Sequence, residues 1–291
     1  MLDVDVATPM DFERIGLFAS DVAINYGNPA DPQNHRHTEF HLTVADPGPK
    51  RFSTFLNAAH DIDFQTSVQH HFDANSGWIG EKLSYEIASR PQTDRTLKVD
   101  SAYDLGFLEL AIFPNRIDAG IVEAIDVDLS YSYGAGFQRS DVFWVLPGGE
   151  RQRWRLRLTR PDRRQWTARL THHLKNGTTR TSPPITSEAA FLPVNDEFPA
   201  TLDIRSIPLF GPDTVRRAFV DVRYLDLPNA YVREERIEIP GDATEPVALR
   251  IALLDPDLVI FRHRVSLVTT DGQLVQNGPV DGEETLIGVG L

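Results

Sequence analysis

The chain has 291 residues, 41% hydrophobic and 24% charged, which is the composition of folded protein and not of a disordered tail. Its net charge of −13 disfavours nucleic acid and anionic membrane surfaces as partners. The absence of cysteine excludes a disulfide framework, a zinc finger, an iron–sulfur centre and a thiol nucleophile.

In chain order, the apolar residues alternate with a period of two, the signature of half-buried strands. Strands are expected over 2–6, 21–26, 39–44, 51–56 and 64–71, followed by a turn at Asn75-Ser76-Gly77 and a closing strand near 97–99. The pattern then restarts. Strands over 108–112, 126–131, 141–146, 153–158 and 166–173 precede an Asn176-Gly177 turn and a strand at 191–194. A third round runs through 202–206, 221–224, 235–239, 247–252 and 261–268 to Asp271-Gly272 and 286–289. Asn-Gly and Asp-Gly suit hairpins because type I′ turns need positive φ at both central residues.

The fifth strands align best: Phe64, Trp166 and Phe261 are each followed four residues later by Val68, Leu170 and Val265. A period of about 95–105 residues fits tandem small domains and not a solenoid. Short polar linkers at 100–104 and 195–199 place the boundaries, giving units 1–103, 104–198 and 199–291. Only 10–19 and 119–124 hint at helix. One polar and one apolar face per strand implies two antiparallel sheets packed face to face, so the expected class is all-β, with three tandem sandwiches.

The run from Trp154 to Pro161, the strand from Trp166 to Leu174, the Asn176-Gly177 turn and Ser182-Pro183-Pro184 resemble the second half of a fibronectin type III domain, an immunoglobulin-like sandwich. Phe64, Trp166 and Phe261 stand where that family carries a tyrosine, so a hydroxyl-mediated corner is expected to be absent or replaced. The resemblance implies function by display and spacing.

Candidate chemistry is confined to surfaces. His35, His37, Glu39 and His41 share one face of a strand and form a candidate metal set, against the alternative of a plain polar outer face. By parity, His70 and His172 point inward as hydrogen-bonded core-edge histidines. Asp100, Asp104, Asn195, Asp196 and Glu197 are hard oxygen donors at the linkers and form candidate calcium sites. Arg153, Arg155 and Arg157 alternate with Trp154, Leu156 and Leu158, giving either an anion or partner patch or a solvated strand face. Trp78, beside the Gly77 turn, is the candidate exposed platform for a sugar, while Trp144, Trp154 and Trp166 are expected in the core.

No catalytic residue and no cofactor is expected, since no nucleophile elbow, phosphate loop or zinc-protease motif occurs. No apolar run approaches the ~20 residues that cross a bilayer, and residues 1–6 do not read as a signal peptide. The expected function is therefore a rod-like spacer or protein-binding scaffold, as a segment of a larger surface, tail-fibre or secretion-machine protein. A carbohydrate- or cell-surface-binding adhesin module and an accessory region of an enzyme are the alternatives.

Overall fold

A computed structural model describes residues 1–9, 11–133 and 136–291. The first stretch of chain forms β1 (Leu2–Ala7), a single helical turn α1 (Phe12–Ile15), β2 (Leu17–Tyr26), β3 (Arg36–Thr43), β4 (Lys50–Thr54), β5 (Phe64–Phe72), β6 (Ile79–Gly80), β7 (Ser84–Gln92) and β8 (Thr96–Lys98). The turn α2 (Ser101–Asp104) leads into β9 (Gly106–Pro114), β10 (Val122–Ser132), β11 (Gln138–Val145), β12 (Gln152–Leu158), β13 (Trp166–Leu174), β14 (Thr179–Thr181), β15 (Ile185–Ser187) and β16 (Phe191–Val194). The last stretch is β17 (Ala200–Pro208), β18 (Val215–Asp226), β19 (Tyr231–Pro240), β20 (Val247–Leu253), β21 (Phe261–Thr269), β22 (Leu274–Gly282) and β23 (Leu286–Val289).

The chain is nearly all β, and one sheet plan recurs three times. Three small sheets run β4-β1-β8, β16-β9-β12 and β20-β17-β23; three larger ones run β3-β2-β5-β7, β11-β10-β13-β14 and β19-β18-β21-β22. In each small sheet the first strand of the repeat lies antiparallel to the fourth and parallel to the last. The sixth strand of the middle repeat is broken at Pro183 and Pro184 into β14 and β15, both paired to β13, because proline cannot donate to the ladder. This order departs from the expected immunoglobulin arrangement, in which the third and sixth strands share a sheet with the seventh. Here the third and sixth flank the second and fifth.

The helical hints shrink to one turn or vanish. Met10 lies outside the described residues; α1 is capped by Asp11, which accepts from the Arg14 N–H at 3.2 Å, and is ended by Gly16 at φ +68°. Residues 119–124 form a turn that runs into β10.

The alternation is visible in the packing. Leu2, Val4 and Val6 of β1, Trp154, Leu156 and Leu158 of β12, and Trp166, Ala168 and Leu170 of β13 are all buried. The apolar core of the first repeat is separate, whereas those of the second and third are continuous through Phe198 and Tyr231.

A hydroxyl-mediated corner does exist, supplied from the second strand of the repeat. Tyr26 donates to the Asp61 carbonyl at 2.9 Å and accepts from the Asn57 N–H at 2.9 Å. Tyr131 donates to the equivalent Arg163 carbonyl at 3.0 Å. Tyr224 holds the same register position, but its buried hydroxyl has no partner among the described residues. Burial, reinforced by the Asp226 and Asp255 carboxylates, pushes that phenol up to about 12.

Candidate functional site: repeat seams and outer faces

The loop after β5 leaves the first repeat and enters the second. Its two-residue strand β6 pairs in parallel with β12, Ile79 opposite Leu156 and Gly80 opposite Arg157, and so extends the second repeat's small sheet. A side chain at Gly80 would place a Cβ 2.6 Å from the Tyr85 hydroxyl and 3.0 Å from Arg157 Nε, so any larger residue there would push those two side chains aside.

Arg157 does face outward from its own repeat, as parity requires, but the first repeat covers it. Its side chain is 1% exposed, with the guanidinium carbon 3.9 Å from the centre of the Phe72 ring and 5.9 Å from that of Tyr85. Nη2 donates to the Trp78 carbonyl at 3.4 Å, while among the described residues Nε and Nη1 meet no hydrogen-bond acceptor. Burial lowers the pKa of this guanidinium from its ordinary value, with Tyr85 acting in the opposite direction. The expected patch is thus split: Arg157 is interior, whereas Arg155 and Arg153 pair with Glu109 at 3.1 and 3.5 Å.

Trp78 is 6% exposed and is no sugar platform. Its indole N–H donates to the Arg14 carbonyl at 3.0 Å, and its ring meets Phe107 edge-on at 5.3 Å. Trp144 is the indole that reaches solvent, 50% exposed, contrary to the expected core position. The strand carrying it is apolar on both faces, and the inward set is Asp141, Phe143 and Val145. Asp141 is tolerated inward because it accepts from the buried Trp154 Nε1 at 2.7 Å and pairs with Arg139.

The linker donors do not converge on one another. Asp100 caps α2 through the Ala102 N–H at 2.9 Å. Asp104 lies 3.4 Å from His70 Nε2 and 3.0 Å from Arg90. Asn195 accepts from Asn115 and from the Arg116 N–H, and Asp196 from the Asp118 and Phe198 N–H groups. Glu197 pairs with Arg180 at 2.6 Å. His70 and His172 do point inward: His70 Nδ1 is 2.9 Å from the Ser20 hydroxyl, and His172 Nε2 is 3.2 Å from the Asn195 carbonyl. Each interior histidine therefore reaches the linker that leaves its repeat.

The second seam is aromatic. Phe198 lies 6.0 Å from the Tyr231 ring, Arg180 sits 5.8 Å from the same ring, and Arg233 reaches Thr178 at 3.3 Å. Arg250 pairs with Asp118 of the preceding repeat at 3.3 Å and with Asp203 at 2.8 Å. Burial pushes the Tyr231 phenol up to about 12, against the pull of Arg233 and Arg180.

On the outer face of the first repeat, His37 bonds Asn25 at 2.8 Å and Glu39 at 3.2 Å. His41 and His71 instead grip Asp21 from either side, at 2.5 and 2.9 Å. Burial opposes ionisation of Asp21, but these two hydrogen bonds hold its carboxyl below the ordinary range. His35 precedes the strand, and its Nε2 has no hydrogen-bond partner among the described residues. Among the described residues, no three His, Cys, Asp or Glu side chains gather as a metal-binding set.

No family model matches the chain, and neither does any curated protein. Among solved structures it is similar to a putative adhesin from Bacteroides ovatus, at 9% identity over 64% of this chain and 82% of that one, with a TM-score of 0.22. It is similar also to a streptococcal ancillary pilin, at 10% identity over 99% and 98% of the two chains and a TM-score of 0.21. A tetra-tandem repeat from the extending region of a large adhesion protein matches at 12% identity over 96% and 74%, with a TM-score of 0.16. Scores this low give no basis for transferring a role.

Proposed function

We propose that the chain is a non-enzymatic spacer or protein-binding scaffold, made of three sandwiches over 1–103, 104–198 and 199–291 set end to end. The observation that carries this reading is the first seam: β6 of one repeat is hydrogen-bonded into the sheet of the next, above the buried Arg157. Flexible tandem units need no such device. A strand donated across the boundary, an interior histidine tied to each linker and an aromatic second seam all resist bending between neighbours. Every inter-repeat contact described above joins repeats adjacent in the chain, which is what a serial array requires.

Small-angle X-ray scattering tests the reading. At about 3.3 Å per strand residue, three sandwiches in line with their loops should span about 100 Å. A maximum dimension near that length is expected, and a compact profile with the repeats folded back on one another would overturn it.

A further inference from the structure

The paired residues Tyr26 and Arg36, Tyr131 and Arg139, and Tyr224 and Arg233 mark the same register point in the three large sheets. Counting from them, Trp144 takes the place held by His41 in the first repeat and Glu238 in the third. Val142 takes that of Glu39 and Arg236. These strands are sheet edges, and charged side chains are the usual protection of an edge against unwanted pairing. The first and third repeats keep that protection. At those two places the second carries Val142 and Trp144, 63% and 50% exposed, with Leu146, 47% exposed, just beyond them.

The Trp144 ring is held in place. It packs on the His173 imidazole at 5.1 Å and 39°, and His173 Nε2 lies 2.9 Å from an Asp126 carboxylate oxygen. One same-face pair further along the sheet, where β10 faces Val142 instead of Trp144, Asp128 and Arg169 stand opposite each other on β10 and β13, both exposed. Neither is engaged in a hydrogen bond or ion pair among the described residues. With Ser130, Ser140 and Thr167 they line a shallow depression that begins beside Val142.

We propose that this face binds a neutral carbohydrate, with one pyranose ring stacked on Trp144. The apolar C–H face of the sugar would lie on the indole. The hydroxyls of a neighbouring sugar unit, lying in the depression beside Val142, would donate to the Asp128 carboxylate and accept from the Arg169 guanidinium, both charge-assisted bonds. One carboxylate and one guanidinium side by side carry no net charge, so the pair suits an uncharged polyol better than a polyanion. Three apolar side chains also fall short of the roughly 800 Å² per partner of a stable protein interface. The proposal goes beyond the spacer reading and does not depend on it, because scattering tests one and titration the other.

Trp78, Trp154 and Trp166 are buried, so solvent-exposed tryptophan emission reports on Trp144. The full chain is titrated with cello-, malto-, chito- and laminari-hexaose while following emission maximum and acrylamide quenching. At least one sugar should shift the emission to the blue with saturation and protect against quenching. Trp144→Ala should abolish the capture of that sugar in a pull-down, and Asp128→Asn should weaken binding at least about tenfold, both with an unchanged Tm. No response to any of the four at millimolar concentration would overturn the proposal, as would undiminished binding by Trp144→Ala. So would an ultracentrifugal dimer of the parent chain that Trp144→Ala dissociates, since the stripe would then be covered by a second copy.

Discussion

Arg157 offers the sharpest test of the first seam, because its charge and its stem make opposite contributions. Bringing a guanidinium out of water costs several kcal/mol. Against this stand the Phe72 ring at 3.9 Å, worth about 2 kcal/mol in a dry setting, and one long bond to the Trp78 carbonyl, worth about 1 kcal/mol. The charge therefore roughly breaks even or loses. The aliphatic stem is pure gain, at about 0.8 kcal/mol per buried methylene. Arg157→Met keeps most of the stem and removes the charge, so it should leave stability unchanged or raise it by up to about 2 kcal/mol. Arg157→Ala removes both and opens a cavity, and should cost about 2–4 kcal/mol. Scanning calorimetry of the full chain reads the difference at about 2–4 °C per kcal/mol for a cooperative unit of this size. Hydrogen exchange at the amides of Ile79 and Gly80 assigns it to the seam. If Arg157→Met destabilises as much as Arg157→Ala, the charge itself holds the seam and the reasoning fails.

Buried polar groups at the tyrosine corner and at Asp141 give the remaining outcomes. Tyr26→Phe and Tyr131→Phe should each cost about 1 kcal/mol or slightly more, having lost real hydrogen bonds, whereas Tyr224→Phe should be neutral or stabilising because its hydroxyl has none; urea denaturation separates the three. The Tyr224 phenol sits at about 12 in the folded chain, above its unfolded value of about 10. Its contribution is thus complete below about pH 10 and is lost as pH rises toward 12, so Tyr224→Phe should flatten the alkaline limb of the stability profile. At Asp141, burial opposes ionisation, but the bonds from Arg139 and Trp154 prevail and hold the carboxyl below its ordinary value. That stabilisation is present above about pH 4 and is lost as pH falls through the depressed value. Asp141→Asn should shorten the acid limb, and Asp141→Ala should cost about 1–3 kcal/mol by leaving the Trp154 N–H without an acceptor.

The strands were legible because alternation is a local property: Leu2, Val4 and Val6 announce their buried face without reference to any neighbour. The histidine parity was legible for the same reason, and His70 and His172 lie where it put them. Sheet order was not. A period of two says which face a strand buries and nothing about which strand lies beside it. A likeness drawn from the fourth to sixth strands could therefore not reveal that the third strand flanks the second. Parity also failed at residues 141–146, where both faces are apolar and the one inward acid is excused by the indole N–H of Trp154.

Arg157 shows a different kind of limit. Parity placed it on the outer face of its strand, and the structure agrees; what the sequence could not say is that this outer face is another repeat's interior. The marks of the covering piece were present in Gly77-Trp78-Ile79-Gly80, an apolar pair between glycines in a loop that has no need of one. Read within its own repeat, the segment looked like an exposed turn with a stray tryptophan. Read as a segment that must bury Trp78 and Ile79 somewhere, it requires an open sheet edge close by, and β12 is the edge it reaches. In a tandem array, an apolar loop in one repeat and an arginine-lined strand in the next have to be weighed together. The cation that one repeat cannot bury alone is covered by the aromatic rings of its neighbour.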